Sequence, residues 1–446
     1  MVERDLTATA NGHRHPVDTP LAPGRLAVLG LQHVLVMYTG CVTVPLVFGA
    51  AAKLSTATIG LLINADLLVA GLITLAQSLG IGRVLGVRLP VVAGATFTAV
   101  TPMILIGSQY GLPSVYGSMI AAGVFGLIVA VPFARAIRFF PPLVSGVVIT
   151  VVGLSLIGVA AGLIAGQDAT APDYAAPRNL LLAGGIVVFI VALNRLARGF
   201  LAQIAVLLGL VAGTIVAVAW GLTNFSSVGP AGWFGITAPL HFGAPRFPIA
   251  AVISMCVVML VTFTESTADM LAVGEMTGKP LSTADLARGM AADGLSGILG
   301  GLMNAFLDTV FAQNVGLVGM TRVRSRYVTA TAGVLLVLLG LLPKLGAVVA
   351  SLPGPVIGAA GLVMFATVTA VGIATLRTVE FDGTSNLLIV AVAVGVGMVP
   401  VLAPQIYHRF PAWAQIIAGS AITSATLVAF VLNLLFNHTG RRRAET

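Results

Sequence analysis

The sequence predicts an all-α polytopic membrane protein with fourteen transmembrane segments, arranged as two inverted repeats of seven. Hydrophobic residues make up 58% of the 446 residues and charged residues only 9%, and mean hydropathy is +1.04. So few charges cannot cover a water-exposed surface, which excludes a soluble enzyme, a nucleic-acid-binding domain and a disordered chain. The apolar runs are continuous rather than alternating, which favours helices over an outer-membrane barrel.

Fourteen stretches have the composition of a spanning helix, which needs about 20 mostly apolar residues. They cover residues 26–50, 57–80, 89–107, 113–133, 142–165, 179–195, 200–221, 248–274, 286–303, 306–322, 327–343, 347–376, 384–403 and 412–436. In the long twelfth stretch, Pro353 and Pro355 predict a bend or a separate entry turn.

The positions of the basic residues predict the orientation. With a cytoplasmic N-terminus, 18 of the 23 Lys and Arg residues fall in cytoplasmic loops and tails, and 5 fall outside. Cytoplasmic loops retain positive charge, so we expect a multi-pass protein of the cell (inner or plasma) membrane with both termini cytoplasmic. Residues 1–25 and 438–446 are the predicted tails. Topology accounts for the net charge of +8, and no nucleic-acid partner is expected.

The third and tenth stretches are the least regular of the fourteen. Residues 89–97 are short, β-branched and interrupted by proline and glycine, and residues 307–316 carry polar side chains where a helix should be apolar. Seven spans per half invert the second half, and irregular segments at matching places point to the binding site of such transporters. We expect a short strand in each, followed by a half-helix whose N–H groups face the substrate.

Carboxylates inside the predicted spans are candidate site residues, because each costs about 2.5–3.5 kcal/mol on insertion scales. Glu265 and Asp269 lie four residues apart on the eighth segment and share a helix face. Two buried carboxylates are not fully ionised together, which suits proton coupling, although the pair could also serve helix–helix hydrogen bonding. Asp293, among glycines of the ninth segment, is either functional or bonded to backbone.

Other polar residues of the spans complete the candidate set. Gln313 and Asn314 could pair with a planar, amide-like ligand through donor and acceptor atoms, or could cap the half-helix that follows. His33 is the only histidine inside a predicted span, and we expect it to brace the site rather than to bind the ligand. Asp66 is expected to tie its span to a neighbour, and Asp308 to be hydrated near the outer end of its segment.

Several kinds of site are missing from the sequence. It has no phosphate-binding G-x-x-x-x-G-K-[ST] loop, no Cys/His metal spacing and no nucleophile elbow, and Cys41 and Cys256 lie singly in apolar runs. ATP-driven transport and a membrane-embedded enzyme are therefore unsupported. Secondary transport remains, with protons as the coupling ion and no other cofactor. An anion carrier of the sulfate or bicarbonate type is the alternative, although carboxylates at the site would repel such anions.

Residues 313–322, Q-N-V-G-L-V-G-M-T-R, resemble the Q-N-x-G-x-x-x-x-T-[RKG] motif of the nucleobase–ascorbate transporter family, also called nucleobase:cation symporter-2. E-S-T-A-D at 265–269 is similar to the eighth-helix element of that family. L-Q-H-V-L-V-M-Y at 31–38 is similar to its first-helix histidine segment, and Asp293 to its ninth-helix aspartate. The resemblance covers about residues 26–437.

The family resemblance implies a homodimer of proton symporters for purines or pyrimidines. Each protomer would hold a core domain, residues 26–134 and 248–345, and a gate domain, residues 135–247 and 346–437. The core would move past the gate like an elevator. The partners implied are thus a small nucleobase, the lipid bilayer and a second copy of the chain.

The resemblance also assigns roles to individual residues. Gln313 and Asp269 look like the xanthine and urate branch of the family. Glu265 and Gln313 would hydrogen-bond the base, and Phe97 would stack on its face. Asp269 and Asp293 would support the site and the proton route.

The identity of the base depends on smaller details. Thr96 is a small residue where carriers resembling xanthine permeases often have Asn, so room for the C8 oxygen of urate is expected. Leu307 and Asp308 replace what is often a proline–aromatic pair, and Ala93 stands where a polar residue is common. We therefore expect urate, xanthine or both, with guanine, hypoxanthine or uracil as alternatives.

Overall fold

The computed structural model describes residues 15–166, 170–171, 174–382 and 385–438; the predicted tail residues 1–14 and 439–446 lie outside them. Its strands are β1 (Ala93–Ala95) and β2 (Asp308–Val310). Its helices are α1 (Pro23–Ala51), α2 (Thr56–Leu79), α3 (Val100–Tyr110), α4 (Leu112–Ala136), α5 (Pro142–Ala165), α6 (Pro177–Leu196), α7 (Phe200–Gln203), α8 (Ala205–Ala219), α9 (Ile249–Thr277), α10 (Thr283–Met303), α11 (Ala312–Thr321), α12 (Arg326–Gly340), α13 (Pro343–Ala350), α14 (Gly354–Leu376), α15 (Asn386–Leu402), α16 (Ala412–Gly419) and α17 (Ala421–Asn433).

The bundle has many apolar helices, which confirms the multi-pass prediction. Within the described ranges, 8 helices are long and apolar enough to cross a membrane, or 9 if α12 and α13, which meet at an 80° bend, form one span. The count of fourteen spans and the inverted repeat stay predictions. Of the remaining predicted segments, most are short or are divided between a strand and a helix, whereas α10 is 21 residues long but is not among the helices apolar enough to count.

Two prolines divide the predicted twelfth segment, as their covalent geometry suggests. α13 ends at Ala350, and α14 begins at Gly354 with Pro353 as its N-cap and Pro355 in its first turn. Proline is tolerated there because the first N–H groups of a helix have no partner within it. The predicted separate entry turn is therefore present, and α13 packs against α2.

Strands β1 and β2 pair antiparallel in the interior of the bundle. Gly94 faces Thr309, with Ala93 opposite Val310 and Ala95 opposite Asp308. Both strands lie inside the two irregular predicted segments, but each has only three residues, so most of each segment is turn or helix. A turn at 97–99 and then α3 follow β1, and α11 follows β2.

The ends of the strand pair are also bonded. The N–H of Thr96 donates to the Leu307 carbonyl at 2.8 Å, and the N–H of Phe311 donates to the Val92 carbonyl at 2.9 Å. Extended backbone inside an apolar bundle is stable only when such groups are satisfied. Phe311 then fits a notch in α1, where a Cβ at Gly40 would overlap its ring.

Glycines bring α4 and α10 into backbone contact. A Cβ added at Gly123 would lie 2.6 Å from the Ile298 nitrogen and 2.7 Å from the Gly294 oxygen. A Cβ at Gly297 would lie 2.9 Å from the Gly123 Cα. This is small-residue packing of the kind that membrane helices use, and the glycines around Asp293 predicted it.

Basic residues that the sequence assigns to the cytoplasm meet at one end of the bundle. The Lys279 ammonium donates to the Arg88 carbonyl at 3.0 Å, and the Arg326 guanidinium donates to the Ser78 and Leu79 carbonyls at 3.1 and 3.0 Å. Burial lowers the pKa of Lys279 from its ordinary value. Arg326 also pairs with Asp18 at 2.7 Å. The bonds of Lys279 and Arg326 join the ends of α2, α9 and α12.

The glycine contact predicts a specific loss of stability. Gly123→Ala should destabilise the protein by about 1–3 kcal/mol, because the methyl group would force α4 and α10 apart. The measurement is the apparent Tm of the purified protein in detergent. Gly184→Ala on α6 is the matched control, since nothing lies within 4 Å of its added Cβ. An unchanged Tm for Gly123→Ala would contradict the packing described.

Candidate functional site

Ser266, the residue after Glu265, connects helix α9 to strand β2 by hydrogen bonds. The hydroxyl of Ser266 lies 2.9 Å from the Thr309 hydroxyl and accepts the N–H of Val310 at 3.1 Å. Ser266 is fully buried. Because consecutive helix residues point in different directions, anchoring Ser266 fixes the direction in which Glu265 projects.

The carboxylate of Glu265 is held by two hydroxyl groups that follow β1. Thr98 donates to Oε1 at 2.7 Å, and Thr96 donates to Oε2 at 3.3 Å. Thr96 also accepts the N–H of Thr98 at 3.2 Å, so it caps the turn at 97–99 as well. Glu265 is half-buried and therefore accessible for further contacts. Thr96 thus caps the turn and contacts Glu265 at the same time.

Asp293 lies behind this centre and is bonded through Gln77 of α2. The Gln77 amide nitrogen donates to Asp293 Oδ1 at 3.2 Å and to the Gly289 carbonyl at 2.9 Å. Its amide oxygen accepts the N–H of Val87 at 3.2 Å. Asp293 is fully buried, and among the described residues its Oδ2 has no hydrogen-bond partner. Asp293 therefore bonds to a side chain, and one of its oxygens is left free.

His33 and Asn314 form a buried pair between α1 and α11. The Asn314 amide nitrogen lies 3.0 Å from His33 Nδ1 and 3.0 Å from the His33 carbonyl oxygen. Both side chains are buried. The geometry suits bracing of the half-helix that carries Gln313, and it turns Asn314 away from open space. Contact of Asn314 with a ligand stays a prediction.

Gln313 projects on a different side of α11, into a cavity of about 370 Å³. Thr39 of α1, Gln203 of α7 and Thr367 of α14 also line this cavity, in which apolar residues predominate. The Gln313 side chain forms no hydrogen bond with any described residue, and it is only half-buried. Glu265 is not among the residues that line this cavity, and contact of Glu265 and Gln313 with one ligand stays a prediction.

Phe97 packs against a helix of the predicted gate domain. Its ring meets that of Phe365 on α14 edge to face, with centroids 5.3 Å apart and an interplanar angle of 84°. Phe97 is 8% exposed, and it is the first residue of the turn that Thr96 caps. Stacking on a base stays a prediction, because the observed ring contact is with Phe365.

The remaining carboxylates divide between the surface of the site and the interior. Asp269 is half-buried on α9, one turn after Glu265, and interacts electrostatically with it. The expectation that Asp308 is hydrated is wrong, because Asp308 lies on β2 and is 0% exposed. The sequence position suggested the end of a helix, whereas the chain is extended there and enters the bundle.

Three site residues were missed from the sequence. Thr98 bonds Glu265, Gln77 bonds Asp293 and Ser266 fastens α9 to β2. Hydroxyl and amide residues are common in spans, so their types carry little signal. The position of Thr98 directly after the strand could have indicated it. Among the described residues, no group of three or more His, Cys, Asp or Glu side chains could hold a metal ion.

Comparison with known families identifies the chain. Residues 24–406 match the family model Xan_ur_permease, which is described as a permease family. The chain belongs to this family. The predicted membership in the nucleobase:cation symporter-2 group is thereby confirmed, and so is the prediction of a transporter rather than an enzyme.

The permease has curated relatives along nearly its full length. It is 45% identical to the uric acid transporter UacT of Escherichia coli over 94% of this chain and 88% of that protein. It is 42% identical to the uric acid permease PucJ of Bacillus subtilis, over 93% of each chain. A xanthine permease of Bacillus subtilis is 39% identical over 93% of this chain and 94% of its own.

A solved structure with little sequence similarity shares the fold of the permease. The transmembrane domain of the cyanobacterial bicarbonate transporter BicA aligns over 94% of this chain and 99% of its own, with a TM-score of 0.57. The two sequences are 11% identical, so the likeness concerns the fold alone. The chain therefore shares the fold of a membrane transporter.

The bond from Ser266 to β2 predicts a structural loss at the site. Ser266→Ala leaves the buried N–H of Val310 without an acceptor and should cost about 1–3 kcal/mol. We expect a lower apparent Tm in detergent. Thr267→Ala is the matched control, because the Thr267 hydroxyl bonds only the Phe263 carbonyl of its own helix, at 2.6 Å. Equal losses in the two variants would contradict a particular role for Ser266.

Proposed function

We propose that this permease is a proton-coupled importer of an oxidised purine, namely urate, with or without xanthine. The observation that carries the proposal is its identity of 45% and 42% to two uric acid carriers over more than nine-tenths of the chain. A xanthine permease at 39% identity keeps xanthine as a second substrate. The hydrogen-bonding groups of Glu265 and Gln313 suit the same class of ligand.

A purine dione or trione presents alternating N–H donors and C=O acceptors in one plane. The Glu265 carboxylate can accept N–H groups of the ring, while the Gln313 amide can donate to a carbonyl and accept from an N–H. Glu265 is held by Thr96 and Thr98, so its direction is set before the ligand arrives. Gln313 is free of other hydrogen bonds among the described residues and lines a cavity large enough for a bicyclic base.

Proton coupling would arise from the same carboxylates. Glu265 and Asp269 are one helical turn apart and interact electrostatically, so adding a proton to one removes a repulsion between them. A base that hydrogen-bonds Glu265 would bind with different affinity to the protonated and ionised states. Thermodynamic linkage makes this effect reciprocal: proton binding changes the affinity for the base by the same factor by which base binding changes the affinity for the proton.

Alternating access would follow from movement of one helix group past the other. The ligand groups Glu265, Thr96 and Gln313 lie on elements of the predicted core, whereas Phe365 lies on a gate helix. An elevator-like shift would separate Phe97 from Phe365, a contact without directional hydrogen bonds. We propose that the basic end of the bundle, where α2, α9 and α12 are joined, lies in the cytoplasm together with both termini. We also propose that the protein is a homodimer in the cell membrane.

Uptake of a panel of bases tests the function. Vesicles containing the protein should accumulate labelled urate when a proton gradient is imposed, and unlabelled xanthine should compete. Guanine, hypoxanthine and uracil are added as competitors in the same way, because stronger competition by one of them would indicate specificity for another nucleobase. Bicarbonate and sulfate test the anion-carrier alternative that the BicA fold raises. Accumulation of either anion without purine uptake would overturn the proposal.

Glu265→Gln tests the coupling. The substitution keeps the size of the side chain but removes the group that titrates, so concentrative uptake should be lost while the protein still reaches the membrane. The measurement is labelled urate uptake with and without a proton gradient. Glu275→Gln on the exposed part of the same helix is the control and should keep wild-type uptake. Full accumulation by Glu265→Gln would exclude Glu265 from binding and coupling.

Thr96→Asn tests the choice of base. Asn is also a good cap, but its larger side chain would occupy the room that the C8 oxygen of urate needs. We therefore expect urate uptake to fall while xanthine uptake survives, measured as competition by each base. Thr98→Ser, which keeps a hydroxyl for Glu265, is the control. If Thr96 acts only as a cap, neither base is affected; a wild-type protein that takes up no urate would refute the expectation directly.

A further inference from the structure

Behind the strand pair lies a second group of carboxylates that the proposed purine site does not use. Asp308 of β2 and Asp66 of α2 are 0% and 1% exposed, respectively. α2 packs along β1, where Thr74 accepts the Ala93 N–H at 2.9 Å, and Ala65 packs with Ala93 and Ala305. Asp66 itself is bonded to Cys41 of α1, and the backbone of Phe306, two residues before β2, acts on its carboxyl group, so Asp66 lies inside the bundle near the strand pair.

Asp308 has a fixed backbone and an unbonded carboxyl group. The Asp308 N–H donates to the Ser296 hydroxyl at 2.7 Å. Asp308 lies opposite Ala95 in the strand pair. Among the described residues, neither of its carboxyl oxygens has a hydrogen-bond partner. Asp66 differs, because its Oδ2 accepts the Cys41 thiol at 2.9 Å while Oδ1 is left free.

Further polar groups are directed at the same place. The Tyr116 hydroxyl of α4 is buried, has no hydrogen-bond partner in the described chain and interacts electrostatically with Asp66. Cys41 of α1 interacts with Asp66 and Asp308, and Tyr38, one turn earlier, interacts with Cys41. A buried hydroxyl group normally has a hydrogen-bond partner. The Tyr116 hydroxyl therefore needs a partner in this region, as the carboxylates do.

No positive charge compensates this cluster within the described residues. The groups that act on Asp308 are Asp66 and Asp293, and those that act on Asp66 are Cys41 and the backbone of Phe306. Two ionised carboxylates without a cation or sufficient donors are strongly disfavoured in a low-dielectric interior. A proton is the smallest ligand that removes the charge: a protonated Asp308 gains a donor, and Asp66, which interacts with it electrostatically, has an acceptor oxygen without a partner.

We propose that Asp308 and Asp66 form a proton-binding pair that holds one exchangeable proton inside the core helices, released and rebound during the transport cycle. The proposal rests on the proton-coupled function above and adds a second site to it. Asp293 connects the two sites, because it interacts electrostatically with both Asp308 and Glu265 and keeps Oδ2 free. Ionisation of Glu265 or binding of a base would thereby change the affinity of the pair for its proton.

Infrared spectroscopy of the full-length protein in lipid tests the pair without requiring transport. A protonated carboxyl group has a C=O stretching band that an ionised one lacks. We expect a wild-type band that shifts in D₂O, disappears on raising the pH, and is absent from Asp308→Asn. Asp66→Asn should displace the band, because the remaining Asp308 loses its partner. The proposal would be overturned if the carboxyl region of the Asp308→Asn infrared spectrum superimposed on that of the wild-type protein.

Two further measurements separate the outcomes. Ser296→Ala, which disturbs the Asp308 backbone without removing a titratable group, should keep the band. Addition of urate or xanthine should alter the wild-type band; a band insensitive to both pH and base would mean a fixed structural proton and would also overturn the proposal. In vesicles, Asp308→Asn should lose proton-driven accumulation but keep exchange of internal for external base. Wild-type vesicles without proton-driven accumulation would instead refute the proposed function, while the infrared result still decides the pair.

Discussion

The arrangement of the site depends on one requirement, that extended backbone inside an apolar bundle must find hydrogen-bond partners. β1 and β2 satisfy each other, and the bonds from Thr96 to Leu307 and from Phe311 to Val92 extend the pairing beyond both strands. Two segments far apart in the chain are thereby held side by side. Every candidate ligand group of the core is placed relative to this pair, either on the turn that follows it or on a helix bonded to it.

Polar residues around the strands mainly bond one another, which leaves few groups for a ligand. Ser266 is bonded to the strand, Gln77 to Asp293, and Asn314 to His33. Glu265 keeps an accessible carboxylate even though two hydroxyls hold it. The division is between residues that give the site its shape and residues that remain able to bind. Residue type alone does not reveal it, since both sets consist of carboxylates, amides and hydroxyls.

Sequence reasoning predicted the class of protein, the apolar helices and the places of both strands, because these depend on local composition and on proline and glycine. It also predicted the tight packing around Asp293, whereas the role of Glu265 in binding stays a prediction. It failed at Asp308, whose depth depends on an extended path through the bundle that hydropathy cannot indicate. Gln77 was missed because its bonds to Gly289 and Asp293 join residues more than 200 positions apart. That Gln313 lines a cavity with residues of α1, α7 and α14 likewise depends on how distant helices pack together.

The contact between α4 and α10 also restricts how this sequence can change. Where a large side chain packs against a small one, a mutation that enlarges the small one can be offset by shrinking its neighbour. At Gly123 the neighbours are the backbone and the glycines 294 and 297, which have no side chain to reduce. A second mutation at the contact therefore cannot restore the fit. Substitutions at these positions have no local suppressor, and the only escape is a displacement of the whole helix.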